Sequence, residues 1–247
     1  MRVGKNFWDS YIRNLRKMSD IAADKMAKRL AGIDFDAISP ELRKEIIDYA
    51  YAVVNKYGEG SSSLVCEYYD ALSDLSDVYV PPAVPAEPDY GDIAKAVNGT
   101  LKHRNIDLVA NAIGRQVKLV GVDTLAKNAI RDGAEWAWIP SGDTCAFCIM
   151  LASRGWQRAS KKALRHGHAE HVHANCDCTY AVRFDSNTDV EGYDPQKYLD
   201  MYYGKTLDQD IVEAVDDKYG YSSPETRLIA MRRQLERNNG KMRAPSR

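Results

Sequence analysis

The sequence predicts a mainly α protein: long N-terminal helices, then a small zinc-stabilised α+β module and a C-terminal helical tail. Three observations predict it. Apolar residues recur at three- and four-residue steps through the first third of the chain. A dense run of prolines then interrupts all helical periodicity. Further on, four of the five cysteines fall between Cys145 and Cys178 in the company of histidines, at a spacing that suits a metal ion.

The first helix follows from Trp8, Tyr11, Ile12, Leu15, Met18, Ala22, Met26 and Leu30, with charges between them. Ser39-Pro40-Glu41 supplies an N-cap, a proline at the first helical position and an early acid. Leu42, Ile46, Tyr49, Ala50, Val53, Val54 and Tyr57 continue that helix as its apolar face. The run Gly58-Glu-Gly60-Ser-Ser-Ser63 predicts a break or kink, after which Leu64, Val65, Tyr68, Tyr69, Leu72 and Leu75 resume the pattern. Pro81, Pro82, Pro85 and Pro88 forbid helix and favour extended chain. A short helix is expected from Asp92 to about Asn98, and a longer one through Leu108, Ile113, Val117, Leu125 and Ile130, weakened by Gly114 and Gly121. Trp136-Ala-Trp138-Ile139 reads as a strand entering the cysteine segment and Cys178-Thr-Tyr-Ala-Val-Arg-Phe184 as one leaving it. The expected organisation is a helical domain over 1–78, a proline-rich linker over 79–90, and a helix plus zinc-knuckle module over 91–186. An acidic segment and a basic C-terminal helix and tail occupy 187–247.

Composition narrows the function classes. Hydrophobic residues make up 45% and charged residues 28%, ordinary for a soluble globular protein. A formal net charge of −1 gives no global reason to expect nucleic-acid binding. No apolar run of signal-peptide type opens the sequence, and none is long enough to span a bilayer. The expectation is a protein made in a cytosol, kept there or assembled there into something larger, where clustered cysteines serve as ligands rather than disulfides. The C-terminal quarter divides by charge. Residues 185–217 hold ten acids against Lys197 and Lys205, and residues 227–247 hold seven bases against Glu236 alone. Such runs are solvated faces or intramolecular partners more often than nucleic-acid surfaces.

The cysteine segment carries the chemistry. Cys145-Ala-Phe-Cys148 and His171-Val-His173-Ala-Asn-Cys176-Asp-Cys178 present soft donors on two short arms. They are expected to hold a structural zinc through Cys145, Cys148 and two of His173, Cys176 and Cys178, with His171 a weaker substitute. The number of thiolates favours a closed site over a catalytic one. A redox C-x-x-C would leave the second cluster unexplained. The deaminase signature, H-x-E before C-x-x-C, is reversed here, because His168-Ala-Glu170 follows Cys148. Cys66, far upstream in an apolar stretch, reads as a buried core thiol.

These residues also carry a resemblance. Cys145-Ala-Phe-Cys148-Ile-Met-Leu-Ala-Ser-Arg-Gly-Trp156, followed by His173-Ala-Asn-Cys176-Asp-Cys178-Thr, resembles the C-terminal motif of MuF-like minor head proteins of tailed bacteriophages. Tyr49–Gly58, Cys66–Ala71 and Glu191-Gly-Tyr-Asp-Pro195 add weaker similarity, so the resemblance covers roughly residues 40 to 200. It implies a minor capsid protein of the virion, acting in head morphogenesis beside portal and major capsid proteins, assembled in the host cytoplasm and catalysing no reaction. Packaged DNA would neighbour the basic tail; no membrane or small-molecule substrate is implied. Two other readings stay open: a zinc-dependent nucleic-acid enzyme (nuclease or deaminase-like) with Glu170, His171 and His173 at an open metal site, and a DNA-binding accessory factor using Arg232, Arg233 and Arg237.

Overall fold

Helix α1 (Lys5–Leu30) buries Trp8, Tyr11, Ile12, Ala22, Met26 and Leu30, the face its periodicity predicts. These positions come from a computed structural model that describes residues 2–76, 78–140, 144–160 and 178–239. About two thirds of the described residues are helical, so the mainly α expectation holds.

Helix α2 begins at Pro40, where the Ser39 hydroxyl accepts the Leu42 N–H at 3.1 Å. It then runs without a break to Ser76, straight through the segment predicted to kink it. The glycines and serines are there for close packing. A Cβ on Gly58 would stand 3.0 Å from a methyl of Val120. One on Gly121 would stand 2.6 Å from the Ser61 hydroxyl. Each glycine costs about 1 kcal/mol of helix propensity. Tertiary packing of two long helices outweighs that.

After α2, helix α3 (Tyr90–Leu101) is capped by Asp89 and α4 (Ile106–Asp132) by Asn105. Helix α4 is the centre of the body and packs on α1, α2 and α3. Its contact with α1 is close enough that Ser19 donates a 2.9 Å hydrogen bond to the Gly114 carbonyl. It ends at Gly133, whose φ of 64° lets the Ala134 N–H turn back to Ala129.

The bundle contains two apolar clusters. One is aliphatic and holds Met26, Leu30, Ile46, Val54, Ile93, Val97, Ile113 and Val117. Fully burying each such side chain stabilises the fold by roughly 1.5–3 kcal/mol. The other is rich in rings, with Trp8, Tyr11, Tyr68, Tyr69, Trp136, Trp138 and Tyr180. The Tyr11 and Tyr68 rings stack at 4.3 Å. This second cluster is covered by an antiparallel sheet. Its central strand β2 (Glu135–Ile139) pairs with β3 (Gln157–Arg158) on one side and β4 (Thr179–Arg183) on the other. Two strands thus fall where the sequence predicts them. A further, parallel pair joins β1 (Arg2–Val3) to β5 (Asp189–Val190) and was not legible in the sequence.

Residues 78–89 form neither helix nor strand, and α4 holds them down. Thr124, Asn128 and Arg131 share one face of α4. Thr124 accepts the Ala86 N–H at 3.0 Å, and Asn128 both accepts from and donates to Val84 at 2.9 Å. Arg131 donates to the carbonyls of Pro81 and Pro82, and Asp70 of α2 accepts the Ala83 N–H. Each bond contributes about 0.5–1.5 kcal/mol net.

The acidic segment folds into α6 (Pro195–Tyr202) and α7 (Gln209–Tyr219), two helices the sequence did not announce. The expected basic helix is α8 (Pro224–Asn239). Its Arg237 reaches back to Asp208 at 2.8 Å and Asp210 at 2.7 Å, so part of the charge division closes on itself.

Candidate functional site

The register of the sheet positions the cysteines. Strands β2 and β4 are antiparallel with Ile139 opposite Thr179. Cys145 follows the end of β2 by six residues, and Cys178 immediately precedes the start of β4. The chain therefore leaves β2 toward Cys145 and enters β4 from Cys178 at the same end of the sheet.

The first arm is built on α5 (Ala146–Ala152), with Cys145 as its N-cap residue and Cys148 on its first turn. Cys145 is in extended conformation (φ −81°, ψ 161°), so the helix proper begins one residue after it. Helix α5 is buried from two directions. Cys148, Leu151 and Ala152 belong to the ring-rich cluster. Ala146 and Ile149 belong to a third cluster with Leu207, Ile211, Val215, Ala230 and Met231. Cys148 is 1% exposed and Cys178 6%, while Cys145 is half-buried.

Cys178 faces Tyr198 of α6, whose phenol is pushed up by burial, then by the Cys178 thiol and by Asp194. Cys178 and Thr179 also wall a crevice with Ile12, Val65, Val122 and Leu125, which Arg16 and Lys118 line as well. Among the described residues no three His, Cys, Asp or Glu side chains converge as a metal group would require. His173 and Cys176 lie outside the described residues, as do His171, His168 and Glu170. Cys145 and Cys148 are the thiols the first arm could offer a metal, and Cys178 is the described thiol of the second. Cys66 is half-buried rather than buried, and burial pushes its thiol up.

Five residues that fasten this region carried no sequence signal of their own. The Arg183 guanidinium lies 4.5 Å from the Trp156 ring centre and pairs with Glu135 at 2.7 Å. Trp156 donates its indole N–H to Asp189, and Tyr193 donates to the Ala152 carbonyl at the end of α5. Trp156 and Tyr193 lie in the segments that carry the resemblance. Their partners are distant in sequence, which no local pattern reveals.

A helical body with a cysteine segment at one sheet end is the class of molecule defined so far. A family profile described as VG15 protein matches residues 2–204, and the chain belongs to that family, one of phage gene products. The match runs from β1 through α6 and leaves α7 and α8 beyond it. No curated protein and no solved structure matches the chain. No described helix is long and apolar enough to cross a membrane.

Proposed function

We propose that this protein is a minor capsid protein acting in phage head morphogenesis, at or near the portal, with a structural zinc site and no catalysis. The observation that carries the proposal is the family match over residues 2–204, which takes in the bundle and the whole cysteine segment. The continuous α2 and α4, locked together by small residues, suit a part that must keep its shape between larger neighbours. Zinc would be held by Cys145, Cys148 and two of His173, Cys176 and Cys178. Bound there, it would cross-link the chain at the end of the sheet and contribute folding energy directly. Portal and major capsid subunits are the proposed partners, with packaged DNA as a neighbour of the basic tail. With Arg237 engaged by Asp208 and Asp210, and Arg227 lying over the Tyr202 and Tyr203 rings, the arginines of α8 left for DNA are Arg232 and Arg233.

Quantitative mass spectrometry of purified virions and empty heads tests the role. A few copies per particle, co-purifying with the portal, are expected. Absence from both particles would overturn it. Metal analysis of the purified protein tests the zinc, with about one equivalent expected in the wild type and none retained by Cys148→Ser.

A further inference from the structure

The proline-rich segment has two unlike sides. Its inner side is fastened: the backbone of Pro81, Pro82, Ala83, Val84 and Ala86 is hydrogen-bonded by Arg131, Asp70, Asn128 and Thr124. Its outer side is bare and apolar. Tyr79 is 89% exposed, Val84 60%, and Leu75, at the end of α2 just before it, 57%. Pro81, Pro82 and Pro85 are exposed beside them. Three large exposed apolar side chains within ten residues are a concentration of the kind that marks an interaction surface when contiguous.

The charge around the strip is one-sided. Residues 57–94 contain eight acids (Glu59, Glu67, Asp70, Asp74, Asp77, Glu87, Asp89 and Asp92) and no Lys or Arg, and the next residue, Lys95, pairs with Asp92 at 2.9 Å. Arg131, which crosses under the strip from α4, is neutralised by Asp132 at 2.7 Å. The segment also repeats a proline spacing, Pro82-Ala-Val-Pro85 and Pro85-Ala-Glu-Pro88. Prolines spaced so hold the extended conformation that aromatic-lined grooves receive, and a chain already fastened in it loses little entropy on docking.

We propose that residues 78–89 are a docking strip for a partner protein whose receiving groove is lined by aromatic rings and rimmed by Lys or Arg. The strip inserts the faces of Tyr79, Val84 and the outer prolines, and the flanking acids meet the basic rim. Thr124, Asn128 and Arg131 present it without touching the partner.

The test places the photo-cross-linker benzoylphenylalanine at Tyr79 or Val84 of the full-length chain during particle assembly. The same probe at Tyr219, 50% exposed on α7, is the control. The expected result is one cross-linked partner from the strip positions and none from the control. Peptide mapping should place the link beside Trp, Tyr or Phe with Lys or Arg adjacent. With the probe at Tyr79, the double substitution Pro82→Ser and Pro85→Ser should lower the yield about tenfold or more. Glu87→Lys should lower it several-fold at low salt and less at high salt. These side chains are exposed, so circular dichroism should be unchanged. A yield no higher than at Tyr219, a link to a second copy of this chain, or a mapped site without aromatic residues would each overturn the proposal.

Discussion

At one end of the bundle Met26, Leu30, Ile46, Val97 and Ile113 pack with no hydrogen-bonding oxygen or nitrogen among their side chains. At the other, Trp8, Tyr11, Tyr69, Trp138 and Tyr180 crowd beneath the sheet, and several rings carry a hydroxyl that must be satisfied. Tyr69 donates to Asp132 at 2.7 Å, Tyr193 to the Ala152 carbonyl at 2.8 Å, and Tyr180 to the Val122 carbonyl. The aliphatic end is therefore specified by volume. The ring-rich end is specified by volume and by individual oxygen atoms, and it is the end that carries the cysteines.

The comparison breaks most readily at Ile113, which is fully buried in the aliphatic end. Ile113→Ala should cost about 2–5 kcal/mol in urea unfolding, while Ile113→Val should cost about 0.5–1.5. At the ring-rich end the loss of one oxygen should suffice. Tyr69→Phe keeps the ring and removes the hydrogen bond to a carboxylate, so about 1.5–3 kcal/mol is expected. A cost below about 0.5 kcal/mol would show that the hydroxyl contributes nothing there.

Close packing has a limit of its own at the α1–α4 crossing. A Cβ on Gly114 would stand 2.9 Å from the Ser19 carbonyl oxygen, a backbone atom that cannot swing away. Gly114→Ala should lose about 1–3 kcal/mol to overpacking, offset by about 1 kcal/mol of helix propensity. A net gain in stability would mean that the helices can separate there at no cost.

Acid sharpens the same contrast. Burial alone would push the Asp132 carboxyl up, but hydrogen bonds from Arg131 and Tyr69 outweigh it and hold the group below its ordinary 3.8. A depressed carboxylate contributes stability that is present above its unfolded pKa and lost as pH falls through its folded one. Unfolding followed from about pH 5 down to about pH 2 should weaken more steeply for the wild type than for Asp132→Asn. Equal slopes would remove Asp132 from the account. The smallest effect is expected at Arg237, whose pairs with Asp208 and Asp210 are exposed. Arg237→Ala should change the melting temperature slightly, and added salt should erase the difference.

The same division explains what could be read from the sequence. Helices α1 and α4, the aliphatic face of α2 and strands β2 and β4 follow from periodicity, which is local. The uninterrupted α2 was hidden because Gly58, Gly60 and Ser61 weaken a helix locally, and their benefit lies in helices that pack from far along the chain. Helices α6 and α7 were masked by charge: Asp194 caps α6 and Ile211 and Val215 bury one side of α7, a stripe too thin to stand out among ten acids. For the site, the pairing of Ile139 with Thr179 has the chain leave β2 toward Cys145 and enter β4 from Cys178 at one sheet end, as two strands flanking the segment suggest. The staple of Trp156, Arg183, Asp189 and Tyr193 depends on contacts that no short window contains.

The pairing of β1 with β5 fixes an order of events during synthesis. Val3 finds its partner in Val190, and the Lys5 N–H finds its acceptor in Glu191, 186 residues later. At about 5–20 residues per second, the first strand waits on the order of 10–40 s for residues that do not yet exist. Helices α1 to α4 can assemble on one another in that interval, since all four are complete before Gly133. The β1–β5 pair can close only after that interval, and until then the first strand is an open edge.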